Sequence, residues 1–436
     1  MEKKRITGVS RRDFLKTAAA ATAGATLASV PRPGYVAESG TLKIGLIGCG
    51  GRGTGAAGQA LRAAEIVGVP AQLVALADVL GRAKSAANGF RNSNNKAVRE
   101  GTKITDEMIF DGVDAYKKLC ATDVNYVILA AHPGFRPFHF EAAVEAKKQI
   151  FTEKPVATDP VGMRQFMAAA KKSEAMNLSV VAGTQRRHQA NYVTTVGKIH
   201  EGAIGDVQAI RVYWDGGGVY NQHQPKPAGM SDLEWQIRDW YAHVWICGDN
   251  IVEQHVHNLD IANWIMKGHP VRAYGSGGRA WKRKDDFLGN IWDHFAIDFE
   301  YANGVHMMSM CRHWDGCDGS VSEAFVGTKG KSSGSDMGTG GLEWAEPYTQ
   351  EHVDLINSIT GKGKHLNEAM QVAESTFTAI LGRESAYQGK RLEWDKLLNS
   401  DLSYFPKELS FEAKIPLAPV PHPGVPGWYK VQAECL

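Results

Sequence analysis

The sequence predicts an α/β protein in two parts: a doubly wound parallel sheet, followed by an α/β domain with a large, mostly antiparallel open sheet. Three observations predict it. The apolar run "LKIGLIG" ends in glycine and leads into an alanine-rich helical stretch. From there to about residue 188, short apolar runs alternate with stretches of helical length. Beyond residue 270, "VRAYGSG", "HFAIDFEY", "GVHMMSMCRHW" and "SVSEAFVG" follow one another without long helices between them. Strands of an antiparallel sheet are connected in that way. With 436 residues, the chain is too long for one ordinary core, and two domains are expected.

Composition is that of a globular protein, with 43% hydrophobic and 22% charged residues. The formal charge of +2 and the absence of a basic block give no sign of a nucleic-acid partner. Six scattered cysteines contain no C-x-x-C, so neither a thiolate metal site nor a disulfide framework is signalled. The N-terminus, "SRRDFLKTAAAATAGATLASV", pairs Arg11 with Arg12 ahead of a small, mildly apolar run. It is too short and weak for a stable membrane span. It resembles a twin-arginine (Tat) export signal, with cleavage expected after Ala28. The expected partner is the Tat machinery, and the expected destination is the periplasm or another exported location. The segments expected are 1–40 for signal and linker, 41–188 for the first domain, 189–400 for the second, and 401–436 for a Pro-rich extended tail.

The elements follow in order. The strand "LKIGLIG" precedes Gly48, Gly50 and Gly53, a G-x-G-x-x-G pattern, and then a helix. Glycine lets the backbone turn tightly and approach a pyrophosphate, while the helix N-terminus offers free N–H groups to its charge. Between a strand and a helix, this pattern reads as a Rossmann dinucleotide site. Gly51 and Arg52 complete the loop. The second strand, "AQLVALADV", ends at Asp78, whose carboxylate suits a ribose diol and favours NAD over NADP; Arg82 nearby leaves NADP open. Residues 84–108 read as a mixed helix and loop insertion. The strand "NYVILAA" then runs to His132, and a short strand runs to "EKP", with Glu153 and Lys154. Gly48, Asp78, His132 and Lys154 all fall at the carboxyl ends of strands, where ligands bind in such sheets. A helix at 159–175 leads to the strand "LSVVAGTQ". In the second domain, helices at 231–246 and 253–267 are expected to cover one face of the sheet. Helices at 350–360 and 366–389 follow.

Three segments, "KIGLIGCGGRGTG", "FTEKPVATD" and "NIVEQHVHNLDIANWI", together resemble the Gfo/Idh/MocA oxidoreductases, named for glucose-fructose oxidoreductase and inositol dehydrogenase. "YTQEHVDLINSITGKGKHLNEA" resembles a fourth, less specific family segment, so the similarity spans roughly residues 42–395. The resemblance implies a Rossmann domain, a second domain whose open sheet builds a homo-oligomer, and a catalytic lysine at Lys154. It places a catalytic histidine at His257. The family's aspartate four residues earlier is Glu253 here, and its glycine is His255.

The chemistry at 253–260 follows from residue type. Oxidising a secondary alcohol needs a hydride acceptor and a base for the hydroxyl proton. An imidazole suits the second task. His257 is therefore expected as base, Lys154 as electrostatic partner and Glu253 as the carboxylate that orients His257. Arg186, Arg187, His188 and Tyr192 follow a strand end and are candidates for the substrate pocket, with His255, Arg312 and His313. No metal is expected: Glu253 and His257 lack an H-E-x-x-H context and a compact third ligand. The substrate class expected is a sugar or glycoside oxidised at a ring hydroxyl. Export in folded form implies a cofactor loaded beforehand, tightly held and recycled internally. The alternative is an NAD-dependent glycoside hydrolase or lyase working through a transient keto-sugar.

Overall fold

The computed structural model describes residues 40–219, 225–280 and 289–425. The export signal with Arg11 and Arg12, and the end of the Pro-rich tail, lie outside them. The first sheet holds six strands: β1 (Leu42–Ile47), β2 (Ala71–Asp78), β3 (Ile109–Asp111), β4 (Tyr126–Leu129), β5 (Gln149–Thr152) and β6 (Val180–Ala182). Their order is β3-β2-β1-β4-β5-β6, and every pairing is parallel. The order reverses between β1 and β4, which opens a crevice at their carboxyl ends. β4 and β5 are buried along their whole length, as strands covered on both faces must be. The polar stretch after β2 folds into two short helices, Ala83–Arg91 and Lys96–Gly101.

The second sheet has seven strands: β7 (Val207–Gly216), β8 (Pro270–Gly278), β9 (His294–Tyr301), β10 (His306–His313), β11 (Ser320–Gly327), β12 (Lys331–Ser332) and β13 (Leu392–Glu393). The order is β12-β11-β7-β10-β9-β8-β13. All neighbours are antiparallel except β7 and β10. β9 and β10 alternate buried and exposed residues, so one face packs on the core and the other is open.

Four helices matter for the site. α1 (Gly51–Val67) follows the glycine loop. α2 (Val256–Met266) and α4 (Ala369–Gln388) pack on the covered face of the second sheet. α3 (Pro347–Thr360) comes after the second sheet in sequence but returns to the first. Its Leu355, Ile356 and Ile359 share one core with Ala56, Ala60 and Leu61 of α1. Alanines on α1 keep the helices close, and each fully buried Leu or Ile adds about 1.5–3 kcal/mol. Residues 399–421 contain no helix or strand and lie along the surface. Tyr404 N–H and Ser403 Oγ donate to Asp159 at 2.7 and 3.1 Å, and Phe405 packs edge-on against Phe135 and Trp245.

Candidate active site

The glycine loop divides its labour. Gly48 has φ +97°, and a Cβ there would lie 2.3 Å from the Ala131 nitrogen; one at Gly53 would lie 1.9 Å from the Gly48 oxygen. These two glycines let β1, β4 and α1 meet. A Cβ at Gly51 would meet nothing within 4 Å, so that side of the loop is open. The 17-residue α1 starts at this opening with no side-chain cap and no acidic residue in its first turn. Its free N–H groups are therefore available to an anion. Asp78 accepts the Cys49 and Leu80 N–H groups, each at 2.8 Å, which orients its carboxylate on the groove wall. Arg82 N–H adds a longer bond at 3.4 Å, and three donors still leave a carboxylate lone pair for a diol. These features fit a dinucleotide.

Two hollows join along this edge, sharing Gly50, Arg82, Ala130, Ala131 and His132. The smaller lies between the ends of β1, β2 and β4. The larger is a cleft of ≈ 560 Å³ whose lining includes Arg52, Glu153, Lys154, Glu253 and His257, with Trp214, Trp240 and Tyr348. His132 rests against Trp240 (ring centroids 4.9 Å) and is held neutral by burial and the charges of Arg82 and Arg136, which push it down to about 3. Arg52 donates to Glu153, and to Gln59 at 2.7 Å.

In the wall of the cleft, Lys154 Nζ donates to the Glu253 carbonyl oxygen at 2.7 Å and to Oε1 at 3.2 Å. Both side chains are 10% exposed, so the ion pair is desolvated on one side and open to the cleft on the other. His257 is stacked on Trp214, with centroids 5.7 Å apart and planes at 24°. Burial, then the nearby charges of Lys154, Arg186 and Arg52, hold its pKa well below 6.5. The imidazole is neutral at physiological pH, the form a base requires.

Two expectations about this segment are corrected. Glu253 meets Lys154, and Trp214 is the side chain stacked on His257. The reason is a break in the helix: Asn250–Glu253 is one short turn, Gln254 and His255 form a corner, and α2 begins at Val256. Simple helical spacing between 253 and 257 does not apply. His255 is fully buried under the second sheet, where its Nε2 is 2.8 Å from Ser309 Oγ, and burial pushes it down to about 3. It does not line the cleft.

The other substrate candidates are also engaged elsewhere. Arg187 makes a two-pronged pair with Asp260 at 2.9 and 3.0 Å. His188 is buried between Asp354 (2.6 Å) and Glu368 (3.2 Å). Burial opposes its charge, but Glu368 and Asp354 prevail and raise it to about 10. Tyr192 donates to Glu323 at 3.2 Å, and Arg186 pairs with the same carboxylate. Arg312 donates to the Asp318 carbonyl, and His313 stacks on Tyr241. Of these, none lines the cleft. The residues missed by sequence reasoning are Gln185, Gln254, Arg136 and Tyr348. Trp214 and Trp240 also line the cleft; they stand in the aromatic-rich stretches "WDGGGVYNQHQP" and "DWYAHVWICGD", which suit a sugar ring or an ordinary core equally. Among the described residues, no group of three His, Cys, Asp or Glu side chains is placed to hold a metal ion.

Comparison with known proteins agrees with this geometry. Residues 42–181 match the oxidoreductase family with an NAD-binding Rossmann fold, and residues 193–332 match the GFO/IDH/MocA C-terminal domain. Residues 8–28 match a twin-arginine translocation pathway signal sequence. An inositol 2-dehydrogenase of Acidothermus cellulolyticus is 29% identical over 52% of this chain and 54% of its own length. One from Gluconacetobacter diazotrophicus is 26% identical over 53% and 57%. The chain thus spans about half the length of the curated relatives it matches. Scyllo-inositol dehydrogenase of Lactobacillus casei, solved with NAD(H) and scyllo-inositol, has a TM-score of 0.60 at 17% identity. Levoglucosan dehydrogenase, solved with NADH and levoglucosan, has 0.60 at 16%. Each likeness covers 81% of this chain and 99% of the other. The parallel sheet with its glycine loop, the open second sheet and the two matched domains show that this chain belongs to the Gfo/Idh/MocA oxidoreductase family.

Proposed function

We propose that the protein oxidises a ring hydroxyl of a sugar, cyclic polyol or glycoside, with NAD as the hydride acceptor. The observation that carries this reading is the convergence of Lys154, Glu253 and a neutral His257 in the cleft that also holds the glycine loop. When bound, the nicotinamide supplies the hydride-accepting carbon. His257 takes the hydroxyl proton, and Trp214 holds the plane of its ring. The Lys154 ammonium stabilises the developing alkoxide, in a position set by Glu253. Trp214 and Trp240 offer flat apolar surfaces suited to the C–H faces of a ring. The named relatives act on inositols and an anhydrosugar by dehydrogenation, which favours net oxidation over the elimination cycle of a glycosidase.

The export signal supports a second part of the reading. The exported chain holds its nucleotide tightly in the periplasm and regenerates it on the protein by passing the hydride to a second, keto-sugar substrate. The open face of the second sheet pairs two copies. Tyr274, Asp298, Met308 and Arg211 form one cross-strand row there, with Met308 53% and Tyr274 56% exposed.

The test is to purify the mature protein without added cofactor, denature it, and identify any released nucleotide by mass. The intact protein is then offered inositols, aldoses and aryl glycosides. NAD(H) that survives dialysis, with oxidation of a cyclic polyol or sugar, is the expected result. Aglycone release without net oxidation would replace the reading with the glycosidase cycle. A protein that purifies empty and reduces added NAD would overturn the retained cofactor.

A further inference from the structure

Lys154 and Glu253 come from different domains, and a third residue bridges the backbones that carry them. Arg383 on α4 is fully buried. Its Nη1 donates to the Gly248 carbonyl at 2.9 Å, and its Nη2 donates to the Thr158 carbonyl at 2.8 Å. Thr158 lies in the loop that follows Lys154, and Thr158 Oγ1 donates back to the Trp245 carbonyl at 3.0 Å. Gly248 begins the corner that leads to Glu253. One guanidinium thus spans the two chain segments behind the ion pair.

The corner itself is built to be held. Asp249 is a non-glycine residue at φ +73°, a backbone conformation that persists only when its surroundings impose it. Its carboxylate, with no exposure, accepts N–H groups from Asn250 (2.6 Å) and Trp292 (2.7 Å) and the hydroxyl of Tyr387. Tyr387 lies one helical turn beyond Arg383 on α4. Arg383 is neutralised by its neighbour Glu384, whose Oε1 accepts from Nε at 3.1 Å and Nη2 at 2.8 Å. The same oxygen accepts the Tyr404 hydroxyl at 2.8 Å, so the C-terminal strap completes the assembly.

A buried ion pair is a poor device for stability alone, because well-packed apolar residues of similar volume often serve as well or better. Its particular property here is the planar fork, which fixes two acceptors in one plane at set directions. We propose that Arg383 is a positioning residue that sets the Lys154–Glu253 spacing by clamping Thr158 and Gly248 together. The proposal rests on the reading of Lys154 and Glu253 as the working pair. It adds a residue that touches neither substrate nor cofactor.

The test uses the mature full-length protein and two variants, R383K and Y404F. R383K keeps the charge and loses the fork; Y404F removes one hydroxyl from the Glu384 carboxylate. Oxidation of myo-inositol, as the probe substrate, with a keto-sugar as acceptor gives kcat and KM for myo-inositol. Hydrogen–deuterium exchange follows segments 154–158 and 248–254. For R383K the expected kcat loss is on the order of 10–100-fold, since small misplacements near the chemistry are costly, with KM for myo-inositol little changed. Both segments should exchange faster while the rest of the sheets stay protected, and Y404F should move the same readouts in the same direction by less. A folded R383K with unchanged kcat, or exchange raised uniformly across the molecule, overturns the proposal. If R383K does not fold, unchanged kcat and unchanged local exchange in Y404F overturn it. If the wild type oxidises no myo-inositol, exchange decides: joint loosening of the two segments upholds the clamp, and independent behaviour overturns it.

Discussion

Gly48 and Gly51 stand three residues apart and answer to different constraints. G48A places a Cβ against the Ala131 backbone at a φ of +97°, so it should destabilise the fold. The strain alone is worth about 1–3 kcal/mol. G51A meets open space and should leave the melting temperature unchanged while weakening NADH binding, as read by calorimetry and fluorescence titration. Equal effects on both quantities from the two variants would contradict the division of labour. Lys154 is expected to act on the reaction more than on binding. K154A should lower kcat on the order of 10²–10³-fold, the cost of losing one preorganised charge-stabilising donor, with NADH affinity retained. E253Q leaves the Lys154 ammonium without its counter-charge at a nearly buried site and should cost about 3 kcal/mol of stability. His257 has a lowered pKa, so its imidazole stays neutral as pH falls through 6.5. The acid limb of kcat/KM should therefore lie below pH 6.5. A limb at or above 6.5 that disappears in H257N would contradict the assigned environment.

At the scale of elements, the turn Gln185–His188 shows how a residue can look functional and be a tie. His188 joins this turn to Asp354 on α3 and to Glu368 just before α4. Its folded pKa is raised to about 10 against an ordinary 6.5. Its contribution to stability is therefore fully present below pH 6.5 and is lost as pH rises toward 10. Denaturant midpoints at several pH values should fall across that window in the wild type and fall less steeply in H188Q. Parallel slopes would contradict the tie. The sequence put His188 in a segment that follows a strand end, which it does, but its carboxylate partners lie 166 and 180 residues away. Periodicity carries no information at that range. The same limit hid the Lys154–Glu253 contact, 99 residues apart. The strand–glycine–helix unit, by contrast, was legible because every residue that shapes it is local. The left-handed Asp249 that opens this segment was not legible, because Trp292 and Tyr387, which hold it, lie 43 and 138 residues away.

At the scale of the whole molecule, the order of the six parallel strands puts a crevice at the carboxyl ends of β1 and β4, and the second domain brings Glu253 and His257 into the adjoining cleft. The alternation of strands and helices revealed the first sheet, and the loss of that alternation revealed the second. The return of α3 to the first sheet was not legible, because its apolar face suits either domain. The open face of the second sheet leads to a prediction at this scale. M308D should convert a dimer or larger assembly to monomers in sedimentation without loss of fold, and an unchanged assembly would place the interface elsewhere. The central claim is hydride transfer from a ring carbon to the bound nucleotide, and isotope transfer tests it most directly. The mature protein is incubated with inositol deuterated at its ring carbons, and the recovered nicotinamide is analysed by mass. Deuterium on the nicotinamide in the wild type, and its absence in a K154A protein that still binds NADH, is the predicted result. Unlabelled nicotinamide in the wild type with inositol and with a panel of ring-deuterated sugars would contradict the account.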